Sequence, residues 1–212
     1  MIDKLHYISQ AQATGDHLPA IRRSLAAGCK WIQLRIKDQP TSIILEQAIA
    51  AKALCMHHGA KLIVNDYPEI ASEAEADGLH LGLQDMPVSV ARKIVGQSMI
   101  IGGTANTIQD VQHRIAEGVN YIGLGPYRFT RTKHNLSPIL GTEGIEAIIR
   151  QLVDPAVPVI AIGGITAEDV KEIMQTGVYG VALSSAITHA KNPEALLGQL
   201  YNHLRMPLEP IS

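Results

Sequence analysis

The 212 residues are 46% hydrophobic and 18% charged, which is enough apolar material for a packed core and too much for a disordered chain. A formal net charge of -2 and a pI of about 6.5 argue against a general nucleic-acid or anionic-membrane binder, and no run of apolar residues is long enough to span a bilayer. Cys29 and Cys55 are too few and too far apart for a disulfide framework or a zinc site, and read as small buried hydrophobes in a reducing cytoplasm. Met1-Ile2-Asp3-Lys4 runs straight into a strand, so no signal peptide is expected and the expected location is cytoplasmic.

Short apolar runs alternate with amphipathic stretches along the chain. The first strand is expected at Leu5 to Ser9; Asp16 then reads as an N-cap, Leu18, Ile21 and Leu25 share a helical face, and Gly28 stops that helix. The second strand is expected at Lys30 to Lys37, followed by a helix capped by Thr41 or Ser42 and ended by Gly59. Lys61 to Val64 and Leu79 to Gly82 predict the third and fourth strands, with helices from Pro68 and ahead of Gly96. Met99 to Thr104 is the fifth, and Thr107 with Asp110 has the spacing of a capping box. Tyr121 to Gly125 is the sixth; after a long loop Thr142 should open a helix bearing Ile145, Ile148, Ile149 and Leu152. Val159 to Ile162 and Gly180 to Ser184 are the last two strands, with helices capped by Thr166 and by Asn192-Pro193.

Eight strand-then-helix units over 1–205 predict one α/β domain, a (β/α)8 TIM barrel, with 206–212 as a short tail. An open doubly wound sheet should show G-x-G-x-x-G at its first turn, which is missing. In such a barrel the chemistry sits at the C-terminal ends of the strands. Gln33, Arg35 and Lys37 alternate along the second strand and so point to one side, where the cations want an anionic partner. Asp66 and Asp85 end adjacent strands and could share a hard cation such as Mg2+, although each could instead cap the helix that follows it. Thr104 ends the fifth strand with a hydroxyl. Gly123 to Lys133, GLGPYRFTRTK, places Thr130, Thr132 and Lys133 on a glycine-flanked loop suited to phosphate, and Gly163-Gly164 and Ser184-Ser185 offer a second phosphate cradle.

No Cys or Ser is expected beside a His as an activated nucleophile, and no zinc motif is present. His6 and His80 read as core or lining residues; His17, His57, His58, His113, His189 and His203 read as surface, and His134 stands beside Lys133. Positioning and electrostatics, rather than a strong base, are the expected means of catalysis.

The stretches QLRIK (33–37), ND (65–66), DGLHLGLQDMP (77–87), GPYRFTRTK (125–133) and IGGIT (162–166) together resemble the thiamine phosphate synthases, almost from end to end. The resemblance implies a transferase that joins hydroxymethylpyrimidine diphosphate to thiazole phosphate, releasing pyrophosphate. It implies that Gln33, Leu34, Arg35, Ile36, Lys37, Asn65, Thr104 and Lys133 hold the pyrimidine diphosphate, with Lys133, Arg35, Lys37 and Thr104 acting in catalysis. Thr130, Arg131, Thr132, Gly164, Ser184 and Ser185 would hold the thiazole phosphate, and Asp66 and Asp85 one Mg2+ per active site. The implied partners are small phosphorylated molecules, with no nucleic acid or membrane; a homo-oligomer is left open. The family usually has Ser at Thr104 and His at Asn106. The alternatives are a thiazole tautomerase of the same superfamily and a non-catalytic sensor of thiamine precursors.

Overall fold

The computed structural model describes residues 1–11, 15–129, 138–152 and 157–205. Eight parallel strands close into a barrel in chain order: β1 (Leu5–Ile8), β2 (Trp31–Leu34), β3 (Lys61–Asn65), β4 (Gly78–Leu81), β5 (Ile100–Ala105), β6 (Tyr121–Leu124), β7 (Val159–Ile162) and β8 (Gly180–Leu183), with β8 pairing back onto β1. Around them lie α1 (Leu18–Ala26), α2 (Thr41–His57), α3 (Pro68–Glu73), α4 (Val88–Val95), α5 (Ile108–Ala116), α6 (Gly141–Ile149), α7 (Val170–Gln175), α8 (Ser185–Thr188) and α9 (Pro193–Arg205). The expected barrel is thus observed.

Alternation along each strand divides the apolar residues into two cores. Leu5, Tyr7, Ile32, Leu34, Leu62 and Val64 pack with helix residues such as Ile21, Leu25, Ile44 and Val111. Ile8, Trp31, Ile63, Tyr121, Ile160 and Ala182 come from strands alone and fill the barrel. Room for three rings there comes from glycine: a Cβ on Gly102 would stand 2.1 Å from Tyr121 Cζ. His6 stacks on Trp31 with ring centroids 4.4 Å apart, and Tyr121 meets both rings edge-on. Burial pushes the His6 imidazole down to about 3, so it is neutral, with Nε2 hydrogen-bonded to the Asp3 carbonyl at 2.9 Å.

Several helix ends follow the local chemistry. Thr107 and Asp110 form a reciprocal capping box on α5, and Asn192 Oδ1 accepts from the Ala195 N–H at the start of α9. Other ends differ from expectation. The Asp16 carboxylate accepts from Leu18 N–H, but His17 occupies the N-cap position of α1. Neither Thr41 nor Ser42 caps α2; the Pro40 carbonyl takes the Ile43 and Ile44 N–H groups, so no hydroxyl is needed. Thr142 lies inside α6 and donates to Glu172 instead. Thr166 precedes an extra turn and gives its N–H and hydroxyl to Asp169, from which α7 starts. The second strand ends at Leu34, not Lys37, so Arg35 and Lys37 sit on the loop beyond it. The short α8 is an element that the sequence reading lacked.

Cys29 and Cys55 are buried and free, as expected. His17 is not a surface residue but is buried, and His203 is half-buried, with its Nδ1 enclosed and without a partner among the described residues. No helix among the described residues is long and apolar enough to cross a membrane. The tail 206–212 lies outside the described residues.

Candidate active site

The C-terminal ends of β2, β3 and β4 are joined by a chain of polar side chains. Gln33, inward-facing and buried on β2, donates from Nε2 to Asn65 Oδ1 at 2.6 Å, and Asn65 Nδ2 donates to Asp66 Oδ1. Lys37 Nζ reaches over from the β2 loop to Asp66 Oδ2. Asp66 has a φ of 71°, in the left-handed region that Asp enters more readily than most L-residues, and its N–H donates to the His80 carbonyl at 2.9 Å. One hydrogen-bonded row thus carries the end of β2 to the end of β4.

Asp85 Oδ2 accepts from the Gly82 N–H at 2.6 Å, closing a tight turn after β4. Burial raises the Asp66 carboxyl above its ordinary range, and the Asp85 carboxyl beside it raises it further, while Lys37 opposes both. Neither aspartate caps a helix: α3 and α4 start after Tyr67 and Pro87, with no side-chain cap on either. Their carboxylates are instead held by near neighbours, Asp66 by Asn65 and Lys37 and Asp85 by the Gly82 N–H. Among the described residues no cluster of three or more His, Cys, Asp or Glu could hold a metal, so any ion here would draw further ligands from water or a bound phosphate.

Above the aromatic core, His80 is held at both ring nitrogens, by Tyr121 OH at Nδ1 and Thr104 Oγ1 at Nε2, each 3.0 Å away. Thr104 therefore presents a hydroxyl fixed from below at the end of β5. Asn106 donates from Nδ2 to the Gly125 carbonyl and takes Asp110 Oδ2 on its N–H. This amide ties the turn after β5 to the loop after β6.

That loop begins with a cis Gly125–Pro126 bond and lies against the turn after β7: Tyr127 N–H donates to Ile162 O and Arg128 N–H to Gly163 O, both at 2.9 Å. Gly163 and Gly164 have φ of 99° and 69°, a conformation that glycine adopts without strain. Just after β8, Ser184 Oγ donates to the Ile8 carbonyl at 2.7 Å, and Ser185 opens α8 at the surface.

The barrel therefore brings Gln33, Arg35, Lys37, Asn65, Asp66, Asp85, Thr104, Gly164, Ser184 and Ser185 to strand ends or the turns after them. Leu34 and Ile36 bury their side chains in the helix-facing core, which leaves only backbone for a ligand. Thr130, Arg131, Thr132, Lys133 and His134 lie outside the described residues.

A second polar unit, at the end of β1, had no signal in the sequence. Ser9 Oγ lies 2.7 Å from His17 Nδ1 and accepts from the Arg35 N–H at 3.3 Å, while the His17 N–H donates to Gln47 Oε1. Burial lowers His17 to about 4, so the ring is neutral, and Ser9 Oγ links it to the Arg35 N–H. This Ser–His pair is buried, and its hydroxyl braces the β2 loop. A separate groove of about 560 Å³ lies against α4 and the end of α5, lined by Arg92, Lys93 and Glu117 among others. Its Arg92 is committed to the Gly96 and Met99 carbonyls, so the groove's main cation serves the fold.

The family model described as thiamine monophosphate synthase matches residues 5–187, from β1 into α8. The thiamine-phosphate synthase of Flavobacterium psychrophilum is 48% identical over 206 residues, covering 96% of this chain and 100% of the relative. That of Phocaeicola vulgatus is 45% identical over 201 residues, covering 94% and 97%. Among solved structures, the thiamine phosphate pyrophosphorylase of Pyrococcus furiosus superposes with a TM-score of 0.83 at 29% identity, covering 95% of each chain. With these matches spanning nearly the whole barrel, the chain belongs to the thiamine monophosphate synthase family.

Proposed function

We propose that this protein condenses 4-amino-2-methyl-5-hydroxymethylpyrimidine diphosphate with 4-methyl-5-(2-phosphooxyethyl)thiazole, or its carboxylated tautomer, giving thiamine phosphate and pyrophosphate, and CO2 as well from the carboxylated form. The observation that carries the reading is the facing Asp66 and Asp85 pair, uncommitted to any helix cap and flanked by Lys37. Two crowded carboxylates, one of them already raised by burial, suit a divalent cation. Asp66 and Asp85 would hold one Mg2+, which when bound supplies positive charge for the diphosphate.

The chain's own residues do the rest. Lys37 and Arg35 are on the β2 loop, where they bind the diphosphate, and the Gln33–Asn65 bond keeps that edge of the mouth rigid. Thr104, fixed by His80, orients the pyrimidine. Lys133 takes up charge as pyrophosphate leaves. The methylene C–O bond breaks with its electron pair going to pyrophosphate, and the thiazole nitrogen lone pair forms the new C–N bond. No proton has to be abstracted, in keeping with a site whose buried histidines are engaged in holding neighbours. Gly164, Ser184, Ser185, Thr130, Arg131 and Thr132 hold the thiazole phosphate. The solution location is the cytoplasm.

A tautomerase would need a histidine base at the mouth, whereas His80, the strand-end histidine among the described residues, has both ring nitrogens bonded inside the barrel. The test is substrate omission. With both phosphorylated substrates, thiamine phosphate and pyrophosphate should appear in equal amounts, and neither with one substrate left out. Isomerisation of the carboxylated thiazole phosphate without pyrophosphate release would favour the tautomerase, and binding with no reaction would favour the sensor.

A further inference from the structure

Arg128 and Asp169 make a two-pronged ion pair between the β6 loop and the start of α7. Nη1 donates to Oδ2 at 3.0 Å and Nη2 to Oδ1 at 2.9 Å. The same Nη1 donates to the Gly164 carbonyl at 3.1 Å. Asp169 Oδ2 also accepts the Thr166 N–H and hydroxyl, at 2.8 and 2.9 Å, so one carboxylate gathers both ends of the turn after β7. Burial opposes charge on Asp169, yet the Arg128 and Thr166 hydrogen bonds hold its carboxyl below the ordinary carboxylate range.

These contacts determine which way the turn's peptides face. The Ile162, Gly163 and Gly164 carbonyls are taken in succession by Tyr127 N–H, Arg128 N–H and the Arg128 guanidinium. A peptide unit is planar and trans, so a carbonyl drawn toward the loop turns the next N–H the other way. The N–H groups of Gly164 and Ile165 are thereby aimed away from the loop, and among the described residues they donate to no backbone acceptor. The packing is tight, since a Cβ on Gly164 would meet Arg128 Cβ and its carbonyl oxygen at 3.0 Å.

We propose that Arg128 and Asp169 are positioning residues for the thiazole phosphate: their ion pair holds the Gly164 carbonyl back so that the Gly164 and Ile165 N–H groups face the phosphate. The pair also pins the loop after β6, at Arg128, to the phosphate turn. This rests on the synthase reading for the identity of the ligand, while the orientation of the turn does not. Arg128 is half exposed, and an exposed ion pair adds little to stability. The effect belongs to ligand geometry.

The test uses Arg128→Ala, Arg128→Lys, Asp169→Asn and the Arg128→Ala/Asp169→Asn double variant in the full chain. Each single variant should raise the KM for thiazole phosphate on the order of tenfold, the scale of one lost charge-assisted contact, and leave the pyrimidine diphosphate KM within about twofold. The double variant should be no worse than either single, and Arg128→Lys should not rescue, because an ammonium cannot bridge Asp169 and Gly164 as a fork does. Independently of activity, inorganic phosphate should shift the Gly164 and Ile165 amide NMR signals of the unmodified protein, and markedly less so those of Arg128→Ala. Equal changes in both KM values, additive losses, or unchanged phosphate-induced shifts in Arg128→Ala would overturn the proposal. A protein that makes no thiamine phosphate but shows the predicted amide shifts would overturn the synthase reading alone.

Discussion

Replacing Gly102 by alanine should damage the barrel far more than one methyl group suggests. The new Cβ would lie 2.1 Å from Tyr121 Cζ, 2.3 Å from Cε1 and 2.5 Å from the hydroxyl, where carbon atoms rest at about 3.5–4.0 Å. The ring would have to retreat by more than ~1 Å, into space already held by Trp31 and His6. Overpacking of this kind costs about 1–3 kcal/mol, and a displaced ring also loses the hydrogen bond to His80, worth about 1 kcal/mol. The sum, about 2–4 kcal/mol, corresponds to a melting temperature roughly 5–15 °C lower in a chain of this size. Turnover should fall as well, because Tyr121 holds His80 and His80 holds Thr104. Thermal unfolding of Gly102→Ala, Tyr121→Leu and the double variant measures this directly. If the ring is the obstacle, the double variant loses less than the sum of the singles. A Gly102→Ala protein melting within 1 °C of the unmodified one would refute the packing argument.

Other consequences follow from the same contacts. His6 and His17 titrate near 3 and 4 when folded against 6.5 ordinarily, so the unfolded chain binds more protons below pH 6.5. Their stabilisation is complete above that pH and is lost as pH falls through the folded values; going from pH 7.5 to 5 should cost about 2–4 kcal/mol, read from urea midpoints. A flat profile over that range would contradict the buried neutral assignment. Asp66→Asn and Asp85→Asn should each raise the Mg2+ concentration for half-maximal activity at least about tenfold, since even changes to groups around a metal's ligands cost ~10–100-fold. An unchanged Mg2+ dependence in both would remove them from the metal site. Lys133→Ala should lower turnover roughly 10²–10³-fold if the ammonium stabilises the departing charge as an oxyanion donor does, and near-normal turnover would end that role.

What could be read in advance was what is local along the chain. The strand and helix periods, the glycines after α1, α4, α5 and α7, and the caps at Thr107 and Asn192 each depend on neighbours a few residues away. Asp66, Asp85 and Lys37 were legible as a group because barrel topology places strand ends at one mouth. The bonds between them were not. Thr104 meets His80, which in turn meets Tyr121, across β5, β4 and β6, so nothing in the local sequence of Thr104 marks these partners. Ser9 and His17 pair across a loop, and His17 beside Asp16 carries the polar signature of a surface turn. The caps expected from Thr41, Thr142 and Thr166 failed where another acceptor or donor was closer: the Pro40 carbonyl, Glu172 and Asp169. Arg128 looked like one more loop cation because its fork closes on a residue 41 positions away.

The most direct measurement follows thiamine phosphate formation by the purified protein with both substrates, at fixed Mg2+, after EDTA, and after excess Mg2+ is restored. The carboxylate pair and its neighbouring cations predict product that disappears with EDTA and returns with the metal. Undiminished product in EDTA would contradict the role given to Asp66 and Asp85, and no product under any condition would contradict the reaction itself.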